Sequence, residues 1–151
     1  YSTKELDLIL DKNKIEIDIV QAPYNLLDRR IEYTGWLKEL NERNILFHAR
    51  SIFLQGILLM QYNQLPTYFK KWDDIWKEWY AWLKDNPMIS PLEACIGFVY
   101  NNNLVDKVIV GVDSCDQLQE IINSINYSSN VAYPYINSLD ENLILPFNWP
   151  K

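Results

Sequence analysis

The sequence predicts an α/β fold in which helices cover the faces of a small parallel sheet. Three runs of apolar residues have the length and composition of buried strands and lie at 15–21, 45–49 and 107–111. The segments between them show apolar residues at helical spacing, and alternation of helices with apolar strands is typical of a parallel sheet. The runs end at or beside Gln21, Arg50 and Gly111, so we expect these residues at one edge of the sheet, where sites on such sheets lie.

The first part of the chain is predicted to contain a helix, a strand and a loop. Ser2 and Glu5 have the spacing of a capping box at the start of a helix. The strand at 15–21 follows. Pro23 then predicts a loop over 22–25, because proline is excluded from a central parallel strand.

A second helix and the second strand come next. Apolar residues recur at helical spacing over 30–44, with charged residues opposite them. The strand at 45–49 follows directly and leads into Arg50 and Ser51. These polar residues are therefore expected at the carboxyl edge of the sheet.

Residues 61–90 are unusually rich in aromatic side chains, and these recur three, four and seven positions apart. The spacing predicts one helix with a wide aromatic face, ended by Asn86 and Pro87. We favour packing of this face against the sheet, because large apolar groups at helical spacing usually face inward. A tryptophan stripe can also form a sugar platform, a substrate wall or a groove for a partner, and that alternative stays open. The set consists of Tyr68, Phe69, Trp72, Ile75, Trp76, Trp79, Trp82 and Leu83.

The C-terminal part of the chain is predicted to add two helices and the third strand. Ser90, Pro91 and Glu93 form a capping box with proline at the first helical position. The strand at 107–111 follows, and residues 113–116 cap the last helix. The tail at 139–151 is expected to lie against the surface.

Composition limits the class of protein. The chain has 151 residues, enough for one domain, and a net charge of −6, which argues against binding to nucleic acid or to an anionic membrane. No apolar stretch approaches the roughly 20 residues of a membrane span. Cys95 and Cys115 lack metal-ligand spacing, and Cys95 is expected to be a small core residue. A reducing, cytoplasmic location is therefore expected.

Three segments together resemble the aldo/keto reductases. Residues 17–30 (IDIVQAPYNLLDRR) resemble the segment around the sixth strand of that family, and residues 49–58 (ARSIFLQGIL) resemble the segment around the seventh. Residues 108–114 (VIVGVDS) and 117–120 (QLQE) resemble the eighth strand and the helix after it. The resemblance covers about residues 1–125. The tail and the tryptophan-rich segment resemble, more weakly, members from bacterial surface-polysaccharide loci.

The resemblance implies a fold and a chemistry. The family folds as a (β/α)8 barrel that reduces carbonyl groups with a nicotinamide cofactor, and such a barrel needs roughly 250 residues. We therefore expect residues 1–151 to be one domain that forms the C-terminal part of a TIM barrel, a fragment with about three parallel strands and flanking helices. The family's catalytic Asp, Tyr, Lys and His lie on earlier strands. No catalytic residue is expected in this chain, and His48 is expected to be structural.

By the same resemblance, this part of the barrel supplies residues that bind NADP or NAD. Gln21 matches the residue that hydrogen-bonds the nicotinamide carboxamide, and Arg50 stands where many members place a tyrosine under the nicotinamide ring. The expected contacts along the pyrophosphate are Ser51, Phe53 and Gln55. The expected contacts around the adenosine end are Gly111, Val112, Gln117 and Glu120.

The resemblance does not decide between the two cofactors. Many NADP-preferring members carry a lysine where Gly111 stands, an arginine at Gln117 and an asparagine at Ile121. Those cations pair with the 2′-phosphate. Their absence here, with Asp113 nearby, leaves both NADP and NAD open.

The matched positions also have purely structural interpretations. Gln21 and Ser51 can serve only backbone groups at the rim, and Gly111 can serve only a tight turn. Asp113 and Ser114 can be no more than helix caps.

Two functions fit these observations: part of a reductase, or a half-barrel binding module without chemistry. In the first, the partners are a nicotinamide cofactor and a small carbonyl substrate, with no nucleic acid and no membrane. Open strand edges and an apolar inner face predict that the chain by itself forms a dimer or higher oligomer. The alternative is that the tryptophan helix or the tail folds over that face. The face consists of Ile17, Ile19, Leu46, His48 and Ile109.

Overall fold

The part of the chain that the structure describes forms one three-stranded parallel sheet with helices packed against it. The computed structural model describes residues 3–12, 16–125 and 131–150. The sheet has the order β1-β2-β3, with strands β1 (Ile19–Pro23), β2 (Leu46–Arg50) and β3 (Lys107–Val108). All pairings are parallel, with Ile19 beside Leu46 and His48 beside Lys107. The predicted class of three parallel strands with flanking helices is confirmed.

β1 begins later and ends later than its predicted bounds of 15–21. It runs through Pro23, which pairs in register with Arg50. The predicted loop over 22–25 is therefore wrong for its first two residues. Pro23 is accommodated because it is the last residue of β1, and β1 is an edge among the described strands.

β3 has only two residues, where five had been predicted at 107–111. At its amino end Asp106 completes the pairing with β2: its side-chain Oδ2 accepts the Phe47 N–H at 2.7 Å, and its own N–H donates to the Phe47 carbonyl at 2.9 Å. At the other end the Ile109 N–H donates to the Ala49 carbonyl at 2.8 Å. The hydrogen bonding is thus longer than the regular strand.

The first two predicted helices differ from the observed ones. α1 (Thr3–Leu6) continues as a π-helix over Asp7–Lys12, and Ser2, its expected cap, lies outside the described residues. The single helix expected over 30–44 is two helices, α2 (Arg30–Tyr33) and α3 (Trp36–Glu42). Gly35 separates them with φ +81°, a conformation that favours glycine and interrupts a helix.

The single helix that was predicted to carry the aromatic face within residues 61–90, and to end at Asn86 and Pro87, is also interrupted. Two 3₁₀ segments, Tyr62–Gln64 and Thr67–Trp72, precede α4 (Asp73–Asp85), and Pro66 lies directly before the second of them. Asn86 ends α4 as predicted. The aromatic residues therefore come from both the 3₁₀ segment and α4.

The next helices follow the sequence prediction closely. α5 (Pro91–Tyr100) begins with the predicted capping box, in which Ser90 Oγ accepts the Glu93 N–H at 3.2 Å and Glu93 Oε2 accepts the Ser90 N–H at 2.7 Å. Cys95 is buried on its inner face, as predicted. α6 (Cys115–Ile125) follows β3. No helix within the described ranges is both long enough and apolar enough to cross a bilayer.

One face of the sheet lies under the helices, and a second core forms beside it. Phe47 and Ala49 of β2 are buried with residues of α3, α5 and α6. The second core centres on Trp76 and Trp79, which are completely buried. The inward packing predicted for the tryptophan stripe is observed for these two residues, but they pack in the second core and not, as had been predicted, against the sheet.

The tail is part of this second core, so the prediction that it only lies against the surface is wrong. Leu143 and Ile144 of α7 (Glu141–Ile144) are buried in it. The Trp149 ring packs edge-on against Phe69 with 4.8 Å between ring centroids. An aromatic side chain also binds a polar group of the tail: Trp72 Nε1 donates a hydrogen bond to Asp140 Oδ2 at 2.9 Å.

Candidate functional site

A cleft of about 720 Å³ opens at the carboxyl edge of β2 and β3. Its walls are the loop after β2, the segment after β3 and the first turns of α5 and α6. Seven of the nine residues that the sequence suggested for cofactor binding line it: Arg50, Ser51, Phe53, Gln55, Gly111, Gln117 and Glu120. Residues distant in sequence thus meet in one cavity.

Arg50 occupies a junction of cavities. Its Nη1 donates a 3.2 Å hydrogen bond to Ser51 Oγ, which ties the guanidinium to the first residue of the loop after β2. Besides the main cleft, Arg50 lines a pocket of about 130 Å³ that it shares with Gln21. It also lines one of about 240 Å³ that reaches Phe147 in the tail.

The loop after β2 has an unusual backbone. Ser51, Leu54 and Gln55 have positive φ values of 57°, 46° and 55°, and Gly56 follows with 83°. The left-handed region costs a non-glycine residue roughly 1–2 kcal/mol. Burial of Leu54, which is 1% exposed, and the 2.9 Å hydrogen bond from its N–H to the Ser51 carbonyl stabilise this shape. The surroundings of the loop therefore impose a conformation that its sequence disfavours.

Asn25 holds this loop from the side of β1, and the sequence analysis did not single it out. It is completely buried, and its Nδ2 donates to the Ser51 carbonyl at 3.0 Å. Its Oδ1 accepts the N–H groups of Leu27 and Asp28 at 2.9 and 2.8 Å. The available signal was the asparagine itself, since asparagine after a strand commonly binds backbone N–H groups two and three residues on.

Tyr24, the residue before it, is fixed by two polar partners. Its Oη donates to Glu32 at 3.2 Å and accepts from Asn102 Nδ2 at 2.9 Å. Burial raises the pKa of Tyr24, and the neighbouring Glu32 carboxylate raises this pKa further. The loop after β1 is therefore anchored to both α2 and the segment before β3.

The wall of the cleft beside α6 contains the N-terminal cap of that helix and, at Gly111, space that no side chain fills. Ser114 Oγ accepts the Gln117 N–H at 3.2 Å, which confirms Ser114 as the cap. Gln117 Oε1 accepts the Asp113 N–H at 2.8 Å, so Asp113 takes part in the cap through its backbone, and it also lines the cleft. Gly111 does not have a left-handed φ, and a Cβ added there would meet no atom within 4 Å. Neither a left-handed backbone nor a close contact therefore requires glycine at position 111.

Two of the nine residues lie apart from the cleft. Val112 is exposed and does not line it. Gln21 lies on the uncovered face of the sheet, in register with His48. His48 is half-buried there, and its Nε2 has no hydrogen-bond partner among the described residues.

That uncovered face carries apolar side chains. Ile19, Leu46 and Ile109 are 48%, 42% and 39% exposed. The tail and the buried tryptophans pack into the separate core described above. The alternative in which they fold over this face is therefore wrong for the described residues.

Other cleft residues were not foreseen as site residues. The first turn of α5 contributes Ser90, Pro91 and Leu92, and α6 contributes Ile121. Ser90 had been identified only as a cap. Within the described ranges, no group of three or more His, Cys, Asp or Glu residues is placed to hold a metal ion.

Comparisons with known proteins agree with this architecture. The model of the aldo/keto reductase family matches residues 1–141, which extends beyond the segments recognised in the sequence. The aldo-keto reductase AKR11C1 from Bacillus halodurans, in its apo form, is similar in fold, with a TM-score of 0.58 at 18% identity. The match covers 85% of this chain and 43% of that chain, so this chain spans less than half of that protein's length. No curated protein sequence matches the chain.

Proposed function

Because the chain belongs to the aldo/keto reductase family, we propose that it is the cofactor-binding part of a reductase that transfers hydride to a carbonyl group. The observation that carries the proposal is the cleft, which gathers seven of the nine residues suggested for cofactor binding. Since the chain spans 43% of the B. halodurans protein, the activity of a whole barrel is itself part of the proposal.

The residues present fit a dinucleotide. The cleft volume of about 720 Å³ lies within the usual range for ligand sites. Gly56 and Gly111 line it without side chains, and the space beside Gly111 is open. Arg50 supplies positive charge, and the N-terminus of α5, which borders the cleft, favours phosphate groups through its partial positive charge.

Each residue would have a separate role. Ser51, Phe53 and Gln55 would run along the pyrophosphate, held in place by the imposed backbone conformation of their loop. The planar guanidinium of Arg50 would stack against the nicotinamide ring, and the Gln21 amide would bind the carboxamide. When bound, the cofactor supplies the hydride. The proton donor for the carbonyl oxygen would come from strands outside this chain.

Binding measurements test the proposal. We expect Gln21→Ala and Ser51→Ala each to weaken binding of NADH or NADPH by about 1–3 kcal/mol, because the ligand's polar groups would lose partners. Fluorescence titration of the purified protein measures the affinities. Gln119→Ala, an exposed glutamine on α6 that does not line the cleft, is the matched control. Unchanged affinity in Ser51→Ala would remove the loop after β2 from the site.

Activity measurements test whether this chain binds the cofactor without containing a catalytic group. The 151-residue chain alone should show no carbonyl-dependent oxidation of NADPH, because hydride transfer without a poised acid leaves an uncompensated alkoxide. Oxidation above a no-protein control would show that this chain contains a catalytic group. We also propose a cytoplasmic location, supported by two free cysteines.

The uncovered sheet face favours a second candidate, a non-catalytic module that binds through this face. We propose that, when alone, the chain pairs with a second copy through the face carrying Ile19, Leu46 and Ile109. Its support is their exposure in a sheet whose outer strands, β1 and β3, each have one neighbouring strand among the described residues. Catalytic residues on preceding strands of a longer chain would favour the reductase over this module.

A further inference from the structure

We propose that the cleft selects the unphosphorylated dinucleotide, NAD⁺ or NADH, over NADP⁺ or NADPH. This inference rests on the proposed function, in which the α6 side of the cleft receives the adenosine end. It adds a specificity determined by the charges on that side. Asp113 and Glu120 are the residues that carry it.

The charges in the cleft are separated. Both carboxylates lie on the α6 side, and neither forms an ion pair with a described residue. Among the residues that line the cleft, Arg50 is the one cation, and it lies at the end of β2. A ligand that fills the cleft thus meets positive charge near β2 and negative charge near α6.

The segments that border the cleft add no lysine or arginine to Arg50. The chain contains no lysine or arginine between Lys107 and Lys151. Lys107 begins β3, at the opposite edge of the sheet from the cleft. The first turn of α5 also lacks lysine and arginine, and the loop from Ser51 to Gly56 contains none. A phosphate group beside α6 would therefore have carboxylates nearby, and the only basic side chain among the described residues that line the cleft is Arg50, at the end of β2.

The chemistry of the adenosine ribose then decides the preference. A 2′-phosphate carries about −1.5 to −2 charges at neutral pH and would be repelled by Asp113 and Glu120. A free 2′-hydroxyl is a hydrogen-bond donor, and carboxylates accept such bonds in sites for NAD. Gln117 is held by the Asp113 N–H, which keeps this part of the wall in shape. The same side chains thus favour one dinucleotide and disfavour the other.

Calorimetric titration with NAD⁺ and NADP⁺ tests the inference. We expect NAD⁺ to bind at least tenfold more tightly at low ionic strength, and the ratio to fall with added salt because both carboxylates are exposed and screened. ADP-ribose and 2′-phospho-ADP-ribose should show the same order, since they carry the adenosine end without nicotinamide. Equal or tighter binding of the phosphorylated ligands would overturn the inference.

Variants test whether the charges of Asp113 and Glu120 determine the preference for NAD⁺ over NADP⁺. The double variant Asp113→Asn with Glu120→Gln should reduce the preference to below threefold, mainly by strengthening NADP⁺ binding. Asp116→Asn removes a carboxylate from the first turn of α6, between Asp113 and Glu120 in the sequence, without changing the cleft lining, and should leave the ratio unchanged. A ratio that moves equally in both variants would overturn the assignment to Asp113 and Glu120. Failure of both dinucleotides and both ADP-ribose ligands to bind would overturn the proposed function, and the inference with it.

Discussion

The side-chain nitrogen of Asn25 donates a 3.0 Å hydrogen bond to the backbone carbonyl of Ser51, so the loop after β1 holds the first residue of the loop after β2. Ser51 is one of the residues whose left-handed backbone is disfavoured on its own. The buried Asn25 side chain thus fixes one wall of the cleft, although Asn25 does not itself line the cleft.

Asn25→Ala should lower the free energy of unfolding by about 2–4 kcal/mol, because two buried N–H groups lose their partner and the Ser51 carbonyl loses one of its two. Urea unfolding measures the change. Asn103→Ala, at an exposed asparagine, should change the stability by less than about 0.5 kcal/mol. A similar small effect for both variants would show that the Asn25 bonds do not stabilise this loop.

Gly97 and Tyr133 make a second coupled pair. A Cβ at position 97 would lie 2.5 Å from Tyr133 Oη, and the Tyr133 ring is held between Trp82 and Phe98. Gly97→Ala should therefore destabilise the protein by about 1–2 kcal/mol, despite the roughly 1 kcal/mol gain in helix propensity.

In the Tyr133→Phe background the clash is absent, because the nearest remaining ring atom is 3.8 Å from the added Cβ. Gly97→Ala should then be neutral or stabilising by up to about 1 kcal/mol. A double-mutant cycle in urea measures the coupling. Equal costs in the two backgrounds would contradict the clash.

Asp140 should make stability depend on acid pH. The Asn142 N–H and then the Trp72 indole N–H bind its carboxylate and lower its pKa. Because the pKa of Asp140 is lower in the native state, its carboxylate contributes fully to the free energy of unfolding above the unfolded pKa of about 3.9. This contribution is lost as the pH falls through the native pKa.

The free energy of unfolding should thus fall more steeply below about pH 4 in the wild-type protein than in Asp140→Asn. Asp85→Asn, at an exposed carboxylate, is the control and should keep the wild-type slope. If Asp140→Asn also keeps that slope, the native bonds to Asp140 are not the origin of the pH dependence.

The uncovered sheet face should control association of the chain when it is alone. Sedimentation at micromolar concentration should show a dimer or larger species, and Leu46→Lys should shift it toward the monomer of 18.0 kDa. Leu139→Lys places the same charge at an exposed leucine in the tail and should leave association unchanged. A single wild-type species at the monomer mass would contradict the proposed pairing.

Local sequence was sufficient where neighbours along the chain decide the structure. The Ser90 cap with Glu93 was predicted from spacing alone, because both partners lie within one helical turn. β2 was located to within one residue, since apolar composition and burial coincide in a central strand. The break in the helix at Gly35 was not predicted, although a glycine within a helical pattern is a recognised sign that the helix can be interrupted there.

For the candidate site, the sequence by itself determined that Arg50 stands at the end of β2 and that the segments after β2 and β3 meet, because the carboxyl ends of parallel strands lie at the same edge of a sheet. It also determined the lack of basic residues beyond Lys107, since charge is a property of composition. The tertiary structure decided the left-handed path from Ser51 to Gly56, the support from Asn25, the burial of the tail and the separation of Gln21 from the cleft. The physical reason is that each of these results depends on contacts between segments far apart in the chain, whose packing outweighs local conformational preference.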